Sequence, residues 1–233
     1  MSFEPRDRSA ETRALAEGLS REVEPVRRIP RLRSVLGGVV ALAGVAAGWT
    51  LLRSGGVRSD LVAILSQYPG FAAIGVGLVA MGVGGSIAAV AASVPGRDAL
   101  ERFGMALLVV GAFVGFLAAP GWILLHSAGV SLWPGRDEFM CLQGAIWVAL
   151  LPCVAVLGFV FWAAPRRPVW AGLFGVAGAV ALGAITMHAS CPNDGAAHWI
   201  MGHALAPLMG ALAAVLPLVL LSRWWTSRRA LRS

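Results

Sequence analysis

Six long apolar runs constrain the fold of this chain more than any other feature of its sequence. Each run is about 20 residues long, which is the length of α-helix that crosses a hydrocarbon core about 30 Å thick. The runs cover residues 34–52, 71–94, 103–125, 141–164, 169–189 and 198–222. The sequence therefore predicts an all-α integral membrane protein with six transmembrane helices.

The composition agrees with a membrane protein and excludes an ordinary soluble domain. Hydrophobic residues make up 58% of the 233 residues and charged residues only 13%, whereas about a quarter of a soluble domain is charged. All 19 basic residues are arginines, and the net charge is +7. Because this charge is concentrated at the ends of the apolar runs, we expect it to set the topology and to contact anionic membrane lipids. Direct binding of nucleic acid is not expected.

The arginines are distributed unevenly between the two sides of the predicted spans. One side holds 16 of the 19, in residues 1–33, 97–102, 166–167 and 223–232. Cytoplasmic flanks of membrane proteins carry the excess of basic residues, so both the N-terminus and the C-terminus are predicted to be cytoplasmic. The chain then divides into a cytoplasmic N-terminal segment (1–33), a six-helix transmembrane domain (34–222) and a basic cytoplasmic tail (223–233).

The N-terminal segment carries the pattern of a short amphipathic helix with a narrow apolar stripe. Ser9 is a suitable N-cap, and Pro25 and Pro30 end the helix in an extended basic lead. One interpretation is a helix on the membrane surface or a loosely ordered tail. The other is a peptide that docks into the groove of a cytoplasmic partner. The candidate docking residues are Leu15, Leu19, Val23, Val26, Arg27 and Arg28.

Glycines recur inside the first three predicted spans. Gly44 and Gly48 in the first span, like Gly111 and Gly115 in the third, have the four-residue spacing that lets transmembrane helices approach closely. The second span contains Gly75, Gly77, Gly82, Gly84 and Gly85. Because these five lie in an apolar run with no preceding strand, the pattern favours helix packing over a phosphate-binding loop.

The six predicted spans contain no Asp, Glu, Lys or Arg. Proton relays and ion-coupled carriers depend on ionisable groups inside the membrane. General acid–base catalysis likewise needs positioned titratable groups. The sequence therefore argues against a transporter and predicts that the protein is not an enzyme.

Cysteines and histidines are the remaining reactive groups. Cys141 opens the fourth predicted span and Cys191 follows the fifth, so both fall on the outer side of the membrane in the predicted topology. Cys153 lies twelve residues beyond Cys141, about 18 Å deeper along the same helix. We therefore predict that Cys153 is a core residue out of reach of the other two.

Three interpretations of Cys141 and Cys191 remain open. The short turn at residues 165–168 makes the fourth and fifth spans antiparallel neighbours, which permits a disulfide in an oxidising periplasm. With His188 and His198 nearby, the two thiols would instead suit Zn²⁺ or a heavier thiophilic ion. The third interpretation is a pair of unlinked buried thiols. No other cofactor is predicted.

Sparse motifs along nearly the whole chain resemble those of one family. They are the lead from Leu19 to Pro30, Cys141 with Leu151-Pro152, Trp170-Ala171-Gly172-Leu173 followed by Gly175 and Gly178, Cys191-Pro192, and the closing Leu221-Ser222-Arg223-Trp224. In these positions the chain resembles the NrsF-type anti-sigma factors. These are six-span inner-membrane proteins that hold an extracytoplasmic-function sigma factor at the membrane.

The resemblance implies a regulator of transcription in the bacterial inner membrane. The segment around residues 9–30 would sequester an extracytoplasmic-function sigma factor. Cys141 and Cys191 would respond to oxidative or heavy-metal stress and cause its release. The alternative function is a small-molecule or metal-ion transporter with an outer Cys/His site.

Overall fold

A bundle of helices forms the folded core of the protein. The computed structural model describes residues 12–13, 17–18, 30–126, 135–163, 165 and 167–230. Residues 31–233 form one compact unit, and residues 1–30 form another. Six helices in the described part of the chain are long and apolar enough to cross a membrane, and its regular structure is all helical. The predicted all-helical, six-span architecture is confirmed, while the cytoplasmic location of the termini stays a prediction.

Six spans and one short helix make up the bundle. The first span is α1 (Leu32–Ser54), followed by the short α2 (Leu61–Gln67) and the second span α3 (Pro69–Ala92). The third span runs through α4 (Asp98–Phe113), a π-helical turn π1 (Val114–Ala118) and α5 (Ala119–His126). The fourth and fifth spans are α6 (Arg136–Ala163) and α7 (Pro168–Ser190). The sixth combines α8 (Ala196–His198), a second π-helical turn π2 (Trp199–Ala204) and α9 (Ala206–Ala230).

Several helices extend beyond the predicted apolar runs into polar sequence. α6 begins five residues before its predicted start, and Asp137 and Glu138 lie in its first turn, where carboxylates are favoured by the helix dipole. Glu138 also accepts a hydrogen bond of 2.8 Å from the backbone N–H of Gly135. Cys141 therefore lies about one and a half turns inside the helix and not at its start.

Consecutive spans are antiparallel, so the bundle has two ends. We call the end that carries residues 55–68 and 191–195 the cysteine end. The backbone N–H of Arg58 donates to the Ala189 carbonyl there, across 3.1 Å. At the opposite end, Phe161 of α6 and Trp225 of α9 make an edge-to-face contact. The cysteine pair thus lies at the opposite end of the bundle from Leu32, where α1 begins, and Ala230, where α9 ends.

α3 is the central helix, and its glycines set its distance to two neighbours. A Cβ atom added to Gly84 would lie 2.5 Å from the Leu108 nitrogen and 2.7 Å from the Gly104 carbonyl oxygen of α4. A Cβ atom added to Gly85 would lie 2.6 Å from the Phe174 carbonyl oxygen of α7. Because backbone atoms cannot rotate away as side chains do, only glycine permits these approaches. The prediction that the α3 glycines serve helix packing is confirmed.

The glycine pairs predicted in the first and third spans differ in whether they pack against another helix. Gly111 packs closely on α3, since an added Cβ would lie 2.7 Å from the Gly77 carbonyl oxygen. Gly44 and Gly48 of α1 have nothing within 4 Å of an added Cβ. α1 is also the least buried of the six spans. The packing prediction is therefore confirmed for the third span and wrong for α1 within the described chain.

Candidate functional site

Two cysteines on neighbouring helices meet at the cysteine end. Cys141 lies in α6, and Cys191 directly follows α7. Their Sγ atoms are 3.3 Å apart, and both side chains are buried. A disulfide would place the two atoms about 2.05 Å apart. The structure therefore brings together the two residues that the sequence singled out, as free thiols in direct contact.

A glycine in α7 allows this contact to form. A Cβ atom added to Gly183 would collide with the Ala145 carbonyl oxygen of α6 and lie 3.2 Å from the Ala149 nitrogen. Ala145 is one helical turn from Cys141. Gly183 therefore sets the separation of α6 and α7 directly below the cysteine pair.

Two histidines of the sixth span complete a buried cluster with the cysteines. His198 Nε2 lies 3.1 Å from Cys191 Sγ. One ligand atom from each of Cys141, Cys191, His198 and His203 lies within 4.8 Å of the other three. Both histidine side chains are only 1% exposed. The four residues, which we call the Cys₂His₂ cluster, are drawn from three different spans.

The π-helical turn π2 explains why both histidines reach the cluster. In an α-helix, residues five apart point about 140° away from each other, so His198 and His203 would face different neighbours. In π2 the Leu205 N–H donates to the Ile200 carbonyl, a five-residue bond of 3.0 Å. This wider turn aligns residues that are five apart, and such turns are frequent at functional sites.

His188 lies outside the cluster, although the sequence paired it with His198 as a metal ligand. Its Nε2 lies 3.0 Å from the Phe71 carbonyl oxygen, and its ring stacks on the Phe71 ring with centroids 3.7 Å apart. The ring of His203 lies between the two, 5.2 Å from His188 and 5.0 Å from His198. His203 therefore occupies the position that was predicted for His188, because α3 draws His188 away.

Glu138 is the acidic side chain next to the cluster. Its Oε1 lies 3.8 Å from His198 Nδ1, and its side chain is 15% exposed. This distance is too long for a hydrogen bond, and Nδ1 of His198 has no other partner among the described residues. Glu138 therefore faces the Nδ1 side of the ring, while Nε2 faces Cys191.

Arg58 anchors the segment that carries Cys191. Its side chain is 6% exposed and donates to the Cys191 carbonyl at 2.9 Å and to Asp194 at 2.7 Å. It also donates to Asp60 at 2.8 Å. The hydrogen bond to Asp60 raises the pKa of Arg58 and lowers the pKa of Asp60. The guanidinium therefore stays charged and holds residues 191–194 against the segment that follows α1.

The neighbours of Cys191 shift its pKa. Contact with the Cys141 sulfur lowers the pKa of Cys191 against the opposing effect of burial, and hydrogen bonds from His198 and His203 act in the same direction. The thiolate is the form that binds a metal or attacks another sulfur. These contacts therefore favour the thiolate form of Cys191.

The sequence match to known families covers this whole site. The family model described as negative regulator of sigma F, NrsF, matches residues 19–224. The chain belongs to the NrsF family. No curated protein and no solved structure matches it. Members of the NrsF family are negative regulators of a sigma factor, so this chain has a sigma factor as partner. Its six spans make it a multi-pass membrane protein.

The remaining predicted residues of this NrsF-family protein lie away from the cluster. Cys153 is a free thiol, half-buried, that packs against the apolar core. The structure thus keeps it apart from the other two cysteines, as the helical spacing predicted. The candidate docking residues Leu15, Leu19, Val23, Val26, Arg27 and Arg28 lie outside the described residues. Their role stays a prediction.

Proposed function

We propose that this NrsF-family protein is a membrane-bound anti-sigma factor without catalytic activity in the bacterial inner membrane. Its N-terminal segment sequesters an extracytoplasmic-function sigma factor, and a signal at Cys141 and Cys191 releases it. The observation that carries the proposal is the 3.3 Å contact between two buried sulfurs on separate helices. Family membership supports the negative regulation of a sigma factor.

The two sulfurs can register a signal in two chemical ways. An oxidant that accepts two electrons, with loss of both thiol protons, joins the sulfurs and draws them from 3.3 Å to about 2.05 Å. A thiophilic metal ion displaces the same protons but holds the sulfurs about 3.8 Å apart, given metal–sulfur bonds of about 2.3 Å. Oxidation therefore pulls α6 and α7 together, whereas metal binding holds them apart.

The packing of α6 offers a route from the cysteine pair to the N-terminal segment. α6 ends at Ala163 and α7 begins at Pro168, so the two helices are tethered at the end opposite the cysteines. A change in sulfur separation therefore alters the angle between them. Val39 of α1 belongs to the same buried cluster as Val156 and Val160 of α6. A tilt of α6 thus reaches α1, which directly follows the docking segment in sequence.

Docking is tested by placing charge on the predicted apolar stripe. In the Leu15→Asp, Leu19→Asp double variant, a co-expressed sigma factor should move from the membrane to the soluble fraction, because each buried leucine contributes about 1.5–3 kcal/mol. Ala10→Asp with Ala14→Asp adds the same charge off the stripe and should leave the sigma factor at the membrane. Unchanged retention in the leucine variant would show that docking lies elsewhere.

The signal is tested at the cysteines themselves. Cys141→Ser and Cys191→Ser should each hold sigma-factor output at one level that no longer responds to oxidant or metal. The double variant should resemble either single one, because each removes the same link. Cys153→Ser is the matched control and should respond as the wild type does. A normal response in either Cys141 or Cys191 variant contradicts the proposed signal.

A further inference from the structure

We propose that the Cys₂His₂ cluster is a closed four-ligand site for a thiophilic divalent cation, with Zn²⁺ the best fit. Two thiolates and two imidazoles form a donor set that zinc binds tetrahedrally, and no fifth His, Cys, Asp or Glu of the described residues belongs to the cluster. This inference identifies the metal ion of the proposed signal. The regulatory effect of metal binding rests on the proposed function.

The distances in the cluster suit one ion at its centre. Zinc–sulfur bonds of about 2.3 Å and zinc–nitrogen bonds of about 2.0–2.1 Å define a tetrahedron with edges of about 3.3–3.8 Å. Cys141 Sγ and Cys191 Sγ are 3.3 Å apart, and Cys191 Sγ lies 3.1 Å from His198 Nε2. With all four ligand atoms within 4.8 Å of one another, small side-chain rotations complete the tetrahedron.

The burial of the histidines adds to the argument from the distances. His198 and His203 are each 1% exposed, and the Nδ1 atom of each, like that of His188, lacks a hydrogen-bond partner among the described side chains and backbone. An imidazole buried in an apolar span is unfavourable unless its polar atoms are used. In His198 the nitrogen that faces Cys191 is Nε2, so an ion bound there would leave Nδ1 on the side of Glu138. Two thiolates would also neutralise the charge of a divalent ion, as an apolar setting requires.

The backbone departs from α-helical geometry where the second histidine is needed. The turn π2 begins directly after His198 and contains His203. Without it, the five-residue spacing would direct His203 away from His198 by about 140°. The π-helical turn therefore recruits His203 as the fourth ligand.

Residues around the cluster supply the support that metal ligands usually have. Metal-bound histidines commonly place their second nitrogen against a carboxylate, and Glu138 lies 3.8 Å from His198 Nδ1. Arg58 holds the Cys191 carbonyl at 2.9 Å. His188 is committed to the Phe71 carbonyl and is not a ligand. It therefore provides a matched control from the same group of buried histidines.

The test uses the purified full-length protein in detergent, reduced and free of metal, titrated with Co²⁺ and then with Zn²⁺. We expect one ion per chain, with the visible and sulfur-to-cobalt charge-transfer bands of tetrahedral thiolate coordination. His203→Ala should weaken zinc binding more than 100-fold, beyond the roughly 10–100-fold expected when Glu138→Gln removes a supporting partner. His188→Ala should bind zinc as the wild type does. Monodisperse elution of each variant controls for folding, and Glu138→Gln still tests the site if His203→Ala fails to fold.

Each alternative result has a distinct meaning. Equal zinc binding by the wild type and His203→Ala would overturn the four-ligand site and leave the cysteine signal intact. An absence of ion binding by the reduced protein, with a disulfide found by mass spectrometry after oxidation, would also overturn the site and leave a purely redox signal. Zinc binding that needs all four residues, but leaves the sigma factor at the membrane, would uphold the site and refute metal-induced release.

Discussion

The contact between α6 and α7 gives the sharpest test of how the bundle holds the cysteine pair. Gly183→Ala adds one methyl group where an added Cβ meets the Ala145 carbonyl group, with the carbonyl carbon 3.0 Å away. Ordinary carbon contacts are about 3.5–4.0 Å. Because the obstacle is backbone, no side-chain rotation can relieve the collision. The two helices must therefore separate by on the order of 1 Å next to Cys141.

The expected loss of stability follows from the cost of overpacking. Forcing an extra carbon into a well-packed interior destabilises a protein by about 1–3 kcal/mol. For a chain of this size, each kcal/mol lowers the unfolding temperature by about 2–4 °C. Gly183→Ala should therefore unfold about 2–12 °C below the wild type. The same separation should slow the oxidation of Cys141 and Cys191 to a disulfide.

Thermal unfolding in detergent, followed by circular dichroism, measures the first effect, and thiol alkylation with mass spectrometry measures the second. Gly48→Ala is the matched control, because nothing lies within 4 Å of an added Cβ there. It should unfold at the wild-type temperature or slightly above, since alanine favours helix over glycine. If Gly183→Ala unfolds at the same temperature as the wild type, glycine contacts do not set the helix separation. The same conclusion follows if Gly48→Ala loses as much stability as Gly183→Ala.

Three further predictions concern the cysteine end. Arg58→Gln should raise the alkylation rate of Cys191 several-fold by freeing its carbonyl, and Asp60→Asn, which keeps that bond, should raise it less. Because Arg58 lowers the pKa of Asp60, the stability from this pair is present above about pH 4 and is lost as the pH falls, so Asp60→Asn should flatten the acid side of the unfolding profile. Because Cys141 and Cys191 are buried, the topology is tested with a cysteine at the exposed position 57: an impermeant thiol reagent should modify Val57→Cys in intact reduced cells, and labelling only after lysis would reverse the predicted topology.

Apolar length and local spacing predicted the number of spans because a membrane imposes one length on every crossing helix. The ends were less predictable, since α6 continues into polar sequence through Asp137 and Glu138. The glycine pattern was also ambiguous. Gly111 and Gly44 share the same spacing to a second glycine, yet only Gly111 contacts another helix, because the spacing does not reveal whether a neighbour is present.

The site was predicted in part, for a similar reason. The short connection between α6 and α7 made a contact between Cys141 and Cys191 possible, and the sequence left its chemistry open. The choice of histidines depended on helix geometry that the sequence does not show. Under α-helical periodicity His203 points away from His198, and only a π-helical turn corrects this. His188 was favoured by its closeness to Cys191 in sequence, but α3 presents the Phe71 carbonyl to it.

The two proposed signals differ in the number of spans that they link, because the cluster draws its residues from three spans. A disulfide between Cys141 and Cys191 links only α6 and α7, whereas an ion held by His203 as well also ties the sixth span to both. The sixth span reaches the opposite end of the bundle through α9, whose Leu218 packs beside Gly172 of α7. Metal binding can therefore bias the packing of three spans. Oxidation can bias the packing of only two. A population shift from 1:99 to 99:1 needs about 5.5 kcal/mol, so the signal that links more helices has more contacts through which to supply it.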